Sequence, residues 1–237
     1  MGGGGPVIPN FGKGDACVTG DHTFCWSWVQ QHWDDTLGPA LWQHIELTVI
    51  AVVIGFAIAF PLALLAHRFR RLEGPFGAFS ALVYTIPSLA LFQLLVPFTG
   101  ISWTTVEVAL VGYTLVILFP NIATGLRSAP EDVLEAARGM GLTRFQVLTQ
   151  VELPLALPAI IGGLRVAVVS TVAIATIAAT LLPKGLGYPI FLALKEPTPF
   201  KTEIYSAGVL AVALAIGADL LLVGARRLAV PWARVAR

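Results

Sequence analysis

The stretch "SAPEDVLEAARGMGLTRFQVLTQVELPLALP", residues 128–158, is a polar island in an apolar chain. Glu131, Asp132, Glu135, Arg138, Arg144 and Glu152 crowd into it. Ser128 followed by Glu131 reads as a capping box, and Pro130 is admissible in a first helical turn. Glu131 and Asp132 suit the positive end of a helix dipole. The pattern predicts a helix running to Arg138 and ended by Gly139 and Gly141. Thr143 followed by Gln146 is a second capping box. It predicts another helix that carries Phe145, Leu148 and Val151 and stops before Pro154. Val133, Ala136, Ala137 and Met140 give the first helix a face of mostly small residues, which another backbone can approach closely.

Around this island, 56% of the 237 residues are hydrophobic and 12% are charged. Soluble domains carry about 25% charged residues. Mean hydropathy is +0.79. Five apolar segments, 45–66, 76–98, 106–126, 163–182 and 204–225, approach or exceed the roughly 20 residues a helix needs to cross a bilayer. The fold class expected is an all-α polytopic membrane protein. Its predicted organisation is an outer tail over 1–44, a membrane domain over 45–225 with the polar loop at 128–154, and a tail over 226–237. The first 44 residues contain neither a basic n-region nor an apolar h-region, which argues against a cleaved signal peptide.

Basic residues set an expected orientation. With the N-terminus outside, every arginine except Arg165 falls on the cytoplasmic side, while Lys13, Lys184, Lys195 and Lys201 fall outside. That bias favours N-out, C-in, and it places the loop at 128–154 in the cytoplasm. Arg165 and Asp219 are expected near inner ends of spans, and Glu46 and Glu107 near outer ends, where each can reach water.

In the outer tail, "FCWSWVQQHW" is expected to form a short interfacial helix with Trp26, Val29 and Trp33 on one face. Cys17 and Cys25 are the only cysteines; both fall in this tail, where a disulfide can form. His22, His32 and His44 share the tail, but their spacing fits no standard metal site. In "YTIPSLAL", Pro87 is expected to kink the second span, with Thr85 or Ser88 bonding the freed carbonyl. Tyr84, Thr85, Pro87 and Ser88 are therefore candidate pathway residues. Asn121 is expected to hydrogen-bond to a neighbouring helix and is a further pathway candidate. "LLPKGLGYPIFLALK" is expected to break at Pro183, Gly185 and Gly187 and to lay a short helix at the outer mouth; Gly185 and Gly187 are gate candidates.

Other functions fit poorly. No basic cluster could track nucleic acid. No H-E-x-x-H and no mid-membrane carboxylate pair is present, and no histidine is available beside a serine in the later spans. A G-x-x-x-x-G-K-[ST] phosphate loop is also missing. A scaffold protein would explain the hydrophobicity but not the pattern of the polar loop.

That pattern is specific. "EAARGMGLTRFQVLTQVELP" resembles the EAA loop of binding-protein-dependent ABC importer permeases: E-A-A, three residues, G, nine residues, an aliphatic residue, any residue, L-P. Glu135, Ala136, Ala137, Gly141, Val151, Leu153 and Pro154 match in register. The resemblance spans about 41–227. "YTIPSLALFQLL", "TGLRSAPEDVLEAARGMG" and "GLGYPIF" look like the osmoprotectant branch, whose solutes are glycine betaine, choline, carnitine or proline-like compounds. Where that branch often has A-G-G-L-G, this chain has "LPKGLG". The resemblance implies a type I importer permease in the bacterial plasma membrane. Its coupling helices would dock into two cytoplasmic ATPase subunits through Glu135, Ala136, Ala137, Arg138, Gly139, Gly141, Leu153 and Pro154. It implies a second permease subunit, identical or paralogous, and an extracytoplasmic binding protein. ATP and Mg would sit on the ATPase, and no cofactor on this chain. An importer of another small polar solute, such as an amino acid, is the alternative.

Overall fold

The computed structural model describes residues 24–196 and 200–231. The described residues form helices joined by short turns, without strands. In chain order the helices are α1 (Trp26–Gln31), α2 (Gly38–Arg68), α3 (Glu73–Thr85), α4 (Ser88–Thr99), α5 (Trp103–Leu126), α6 (Glu131–Gly139), α7 (Arg144–Val147), α8 (Leu153–Ala178), α9 (Gly187–Lys195) and α10 (Lys201–Ala229). Four helical stretches are long and apolar enough to cross a membrane, and the bent pair α3–α4 makes a fifth. One end of the bundle carries the α2–α3, α5–α6 and α7–α8 connections (the loop end). The other carries α1, the α4–α5 and α8–α9 turns and the start of α10 (the tail end).

α5 is the axis of the bundle. In its most apolar stretch 61% of residues are buried, against 6% in α10. α2 reaches α5 through a stripe at four-residue spacing, Leu47, Ala51, Gly55, Ala59 and Ala63, all buried. Gly55 is required there, because a Cβ would stand 2.6 Å from Thr114 Cγ2. With no hydrophobic force between helices in lipid, such small residues provide close packing instead. The same Thr114 side chain also meets α8, where Thr114 Oγ1 and Thr171 Oγ1 lie 3.1 Å apart in the buried interior.

The second span differs from a kinked helix. α3 and α4 meet at 101°. Pro87 excludes helical geometry from Ile86, which is extended at ψ 124°. The Val83 carbonyl, which loses its helical donor at Pro87, accepts from the Ile86 N–H at 3.2 Å, not from Thr85 or Ser88. Thr85 donates to Leu82 O at 2.7 Å, and the Ile86 carbonyl opened by the break accepts from the Tyr113 hydroxyl of α5. Two half-length helices thus replace one long one, and α5 holds the corner.

The N-terminal segment is also more firmly built in than expected. α2 begins at Gly38 and follows a π turn, Trp33–Leu37, so a boundary at residue 44 falls inside a helix. α1 turns Trp28 and Val29 inward, not Trp26 with Val29 and Trp33. Trp28 stacks on His32 at 4.5 Å and meets Phe200 edge-on at 5.2 Å. The Cys25 N–H donates to Thr202 Oγ1 at 3.0 Å, tying the segment to α10. Trp26, Trp33 and Trp42 remain exposed, as headgroup anchors would be. Cys25 is disulfide-bonded; Cys17, Lys13, His22, Arg234 and Arg237 lie outside the described residues.

Candidate functional site

The loop end builds a compact module from local bonds. α6 begins after Pro130, whose lack of an N–H costs nothing at a helix start. Ser128 is not its cap: Pro130 keeps the preceding residue extended, and Ser128 Oγ donates backwards to Gly125 O at 2.7 Å, closing the end of α5. At the other end of α6, Gly141 N–H donates to Arg138 O at 2.9 Å and Leu142 N–H to Ala137 O at 3.2 Å. This pair is a Schellman motif, which needs a left-handed residue; Gly141 has φ +85°. Gly139, by contrast, is ordinary exposed helix and does not end it. The capping box at Thr143 forms as expected, with Thr143 N–H donating to Gln146 Oε1 at 2.8 Å and Gln146 N–H to Thr143 Oγ1 at 3.4 Å.

The second loop helix does not stop before Pro154. α7 passes through a π segment, Leu148–Glu152, straight into α8. Proline lacks an N–H and its ring crowds the carbonyl four residues back, and the wider turn carries the chain past both: Leu153 N–H reaches back to Leu148 O. Leu153 and Pro154 are therefore the splice between loop and span. Leu134, Ala137 and Val147 form the buried core of the module, packed with Ala129, Leu142 and Val151. Ala137 is only 2% exposed, so its small size serves this internal packing. Glu135, Ala136 and Arg138 face outward, beside Met140 at 74% and Phe145 at 73% exposure. Arg138 donates to Glu131 at 3.0 Å on the surface. Two contacts anchor the loop end to the spans: His67 Nε2 donates to Glu152 Oε2 at 3.0 Å, and Arg127 pairs with Glu73.

The remaining candidates separate into three places. Tyr84, Thr85, Pro87 and Ser88 gather at the α3–α4 corner, where Tyr84 and Pro87 are exposed on an apolar face with Phe79, Leu82, Leu89 and Leu94. Asn121 is elsewhere, eight residues or roughly 12 Å along α5 from the Tyr113 that holds the corner. It donates to Ile117 O of its own helix at 2.7 Å. Its side chain also fills the space that a Cβ on Gly163 would take, 2.6 Å from Asn121 Cβ.

Gly185 and Gly187 are at the tail end. Gly185 has φ +74° and its N–H donates to Gln43 Oε1 at 3.1 Å. Gly187 lets α9 press onto α8, where a Cβ would run into the Thr176 carbonyl. Between them, Leu186 N–H donates to His44 Nδ1 at 3.2 Å, and His44 Nε2 donates to Val172 O at 3.1 Å. A fully buried neutral imidazole thus staples α2, α8 and the α8–α9 turn together. This staple is not legible in the sequence, because nothing in "WQHIE" separates a core histidine from a tail histidine. Also unpredicted is the bidentate pair Arg165–Asp219, at 2.7 and 2.9 Å between α8 and α10. One opposite charge on each of two otherwise apolar spans was the available signal.

Residues 51–231 match the family described as "Binding-protein-dependent transport system inner membrane component". The chain belongs to this family. The permease is 32% identical to the choline transport system permease protein OpuBB of Bacillus subtilis over 190 residues, 80% of this chain and 87% of that one. It is 36% identical to the glycine betaine/carnitine/choline transport system permease protein OpuCD of Bacillus subtilis over 182 residues, 76% and 79% of the two chains. The osmoprotectant import permease protein OsmW of Salmonella typhimurium is 38% identical over 156 residues, 64% and 73% of the two chains. An inward-facing conformation of the MetNI methionine ABC transporter shares the fold at TM-score 0.73 and 21% identity, covering 81% of this chain and 95% of that one. The permease is therefore a multi-pass inner-membrane subunit of an ABC importer with the type I permease fold. Transport, not catalysis, is the role of its family.

Proposed function

We propose that this permease imports compatible solutes of the glycine betaine, choline, carnitine or proline-like class, and that α6 and α7 receive the drive from a cytoplasmic ATPase. One observation carries the coupling role: the module is rigid within itself, exposes Glu135, Ala136, Met140 and Phe145 outward, and continues without a break into α8. A partner that moves α6 and α7 therefore moves a membrane span. The solute class rests on the curated relatives, whose names specify choline, glycine betaine, carnitine and osmoprotectants.

In this reading the N-terminus is outside and the loop end cytoplasmic, in a bacterial plasma membrane. The basic residues at the loop end, Arg68, Arg70, Arg71, Arg127, Arg138 and Arg144, support that orientation. Two ATPase subunits carry ATP and Mg; this chain holds no cofactor. A second permease, identical or paralogous, covers the exposed apolar face at the α3–α4 corner. Tyr84, Thr85, Pro87 and Ser88 then line the pathway between the two copies. An extracytoplasmic binding protein delivers solute to the tail end, where the Gly185–Gly187 turn forms part of the gate.

The test is uptake of labelled betaine, choline, carnitine and proline by cells expressing the whole transporter, alongside Glu135→Arg. The variant should insert normally and lose uptake of whichever solute the parent carries. Undiminished uptake by Glu135→Arg would refute the coupling role, and transport of none of the four would refute the solute class.

A further inference from the structure

A cleft of ≈ 630 Å³ opens at the loop end between the last turn of α2 and the α6–α7 module. Arg68, Arg138 and Arg144 line it, each from a different element. Neither Arg68 nor Arg144 has a charged partner among the described residues; Arg138 holds only the exposed Glu131. The one carboxylate on the wall, Glu152, is already engaged by His67 Nε2 at 3.0 Å. The rest of the lining includes Leu64, Phe145 and Leu148. The cleft thus joins a cationic wall to an apolar one, at the level where α2 ends and α8 begins.

We infer that this cleft binds a phosphate oxyanion, and that an anionic phospholipid headgroup supplies it. Guanidinium forks match phosphate oxygens in pairs, and a phosphate takes donors from several directions at once. Arg68 and Arg144 carry no ion pair among the described residues, Arg138 has only the exposed Glu131 and Glu152 is turned to His67, so an entering anion relieves the repulsion among the three guanidinium groups. Basic pockets at the ends of membrane helices are a recurrent way to hold phosphorylated headgroups. The apolar wall favours a lipid over a free ion, since Leu64 and Leu148 can meet the acyl chains while the arginines meet the phosphate. A bound headgroup joins Arg68 on α2 to Arg138 and Arg144 on the module. It would therefore tie the end of α2 to the module that α8 continues.

Native mass spectrometry of the full-length chain tests this, after exchange into mixed micelles holding equal phosphatidylglycerol and phosphatidylcholine. The chain should retain phosphatidylglycerol over phosphatidylcholine, and Arg68→Gln/Arg144→Gln should cut that preference by about tenfold or more, since each charge-assisted bond is worth about a tenfold factor. Arg70→Gln/Arg71→Gln removes the same charge outside the cleft and should leave the preference within about twofold, since exposed charges off the site contribute little. Inorganic phosphate added in phosphatidylcholine alone separates the sources. If it binds in an Arg68- and Arg144-dependent manner while phosphatidylglycerol shows no preference, the oxyanion site stands and the lipid source falls. Equal losses from both double variants would overturn the site in favour of diffuse attraction. No preference for either phosphate, combined with loss of ATPase assembly in the cleft variant alone, would overturn it in favour of an acidic segment of the partner.

Discussion

The two ends of the bundle are held by opposite means. At the loop end, the Schellman turn at Gly141, the capping box at Thr143 and the core of Leu134, Ala137 and Val147 all join residues close in sequence. At the tail end, His44 reaches Val172 and Leu186, and Cys25 reaches Thr202, across most of the chain. The first kind of bonding makes a body that can be pushed as one piece. The second makes a seam that binds separate spans. The difference suits the proposed roles, with force entering at the loop end and the helices being kept in relation at the tail end.

Substitutions that separate stability from coupling would sharpen or break this contrast. The largest effect is expected from His44→Ala. It strands the buried Leu186 N–H, which costs about 1–3 kcal/mol, and empties the space of a fully buried imidazole; the Val172 carbonyl keeps Thr176 Oγ1 at 3.0 Å. The apparent Tm of the purified chain should fall markedly, while solute-dependent ATPase per folded transporter stays near normal. An unchanged Tm with lost ATPase stimulation would reverse the assignment of the two ends.

Gly141→Val comes next. A β-branched residue at φ +85° is strained by about 1–3 kcal/mol, and the strain is confined to the turn. Uptake should be abolished while the Tm shifts little. A large global loss of stability would mean that the module is not a separate body. Thr143→Ala removes one cap and should cost about 1 kcal/mol, read as faster amide exchange in α7 and partial loss of uptake. Thr143→Ser should restore both. The smallest effect is expected from Glu131→Ala, which breaks only an exposed pair with Arg138 worth about 0.2–1 kcal/mol. Uptake and Tm should stay close to the parent, and a strong loss would show that this surface pair is part of the docking face.

The same contrast explains what could be read from the sequence. The spans, the Thr143 box, the turn at Gly141 and the short α9 follow from composition and from residues within one turn of each other. Local readings failed where a neighbour in space decided the outcome. Pro87 announces a disturbance, but the full break depends on Tyr113, 26 residues later, taking the Ile86 carbonyl. Pro154 looks like a stop, yet the π segment carries the helix past it. Ser128 has the chemistry of a cap, and Pro130 moves the helix start beyond its reach. His44 lies in a segment that reads as tail, and only the arrival of the α8–α9 turn makes it core. The candidate coupling residues gather in one module and its splice, all but the buried Ala137 and the splice residues on its surface, whereas the pathway candidates divide between the α3–α4 corner, the α5–α8 interface and the tail-end turn. Glycine and asparagine codes do not say which helix will come close.

The π segment at Leu148–Glu152 has a geometric consequence. An α-helix advances by roughly 100° per residue, and a π turn inserts one residue beyond that count. The azimuth of Phe145 and Arg144 is therefore out of phase with the face that α8 presents to α5. Resetting these five residues to α geometry would turn the α6–α7 module about the α8 axis like a key in a lock. A drive applied as a sideways push could in this way reach the membrane as a rotation.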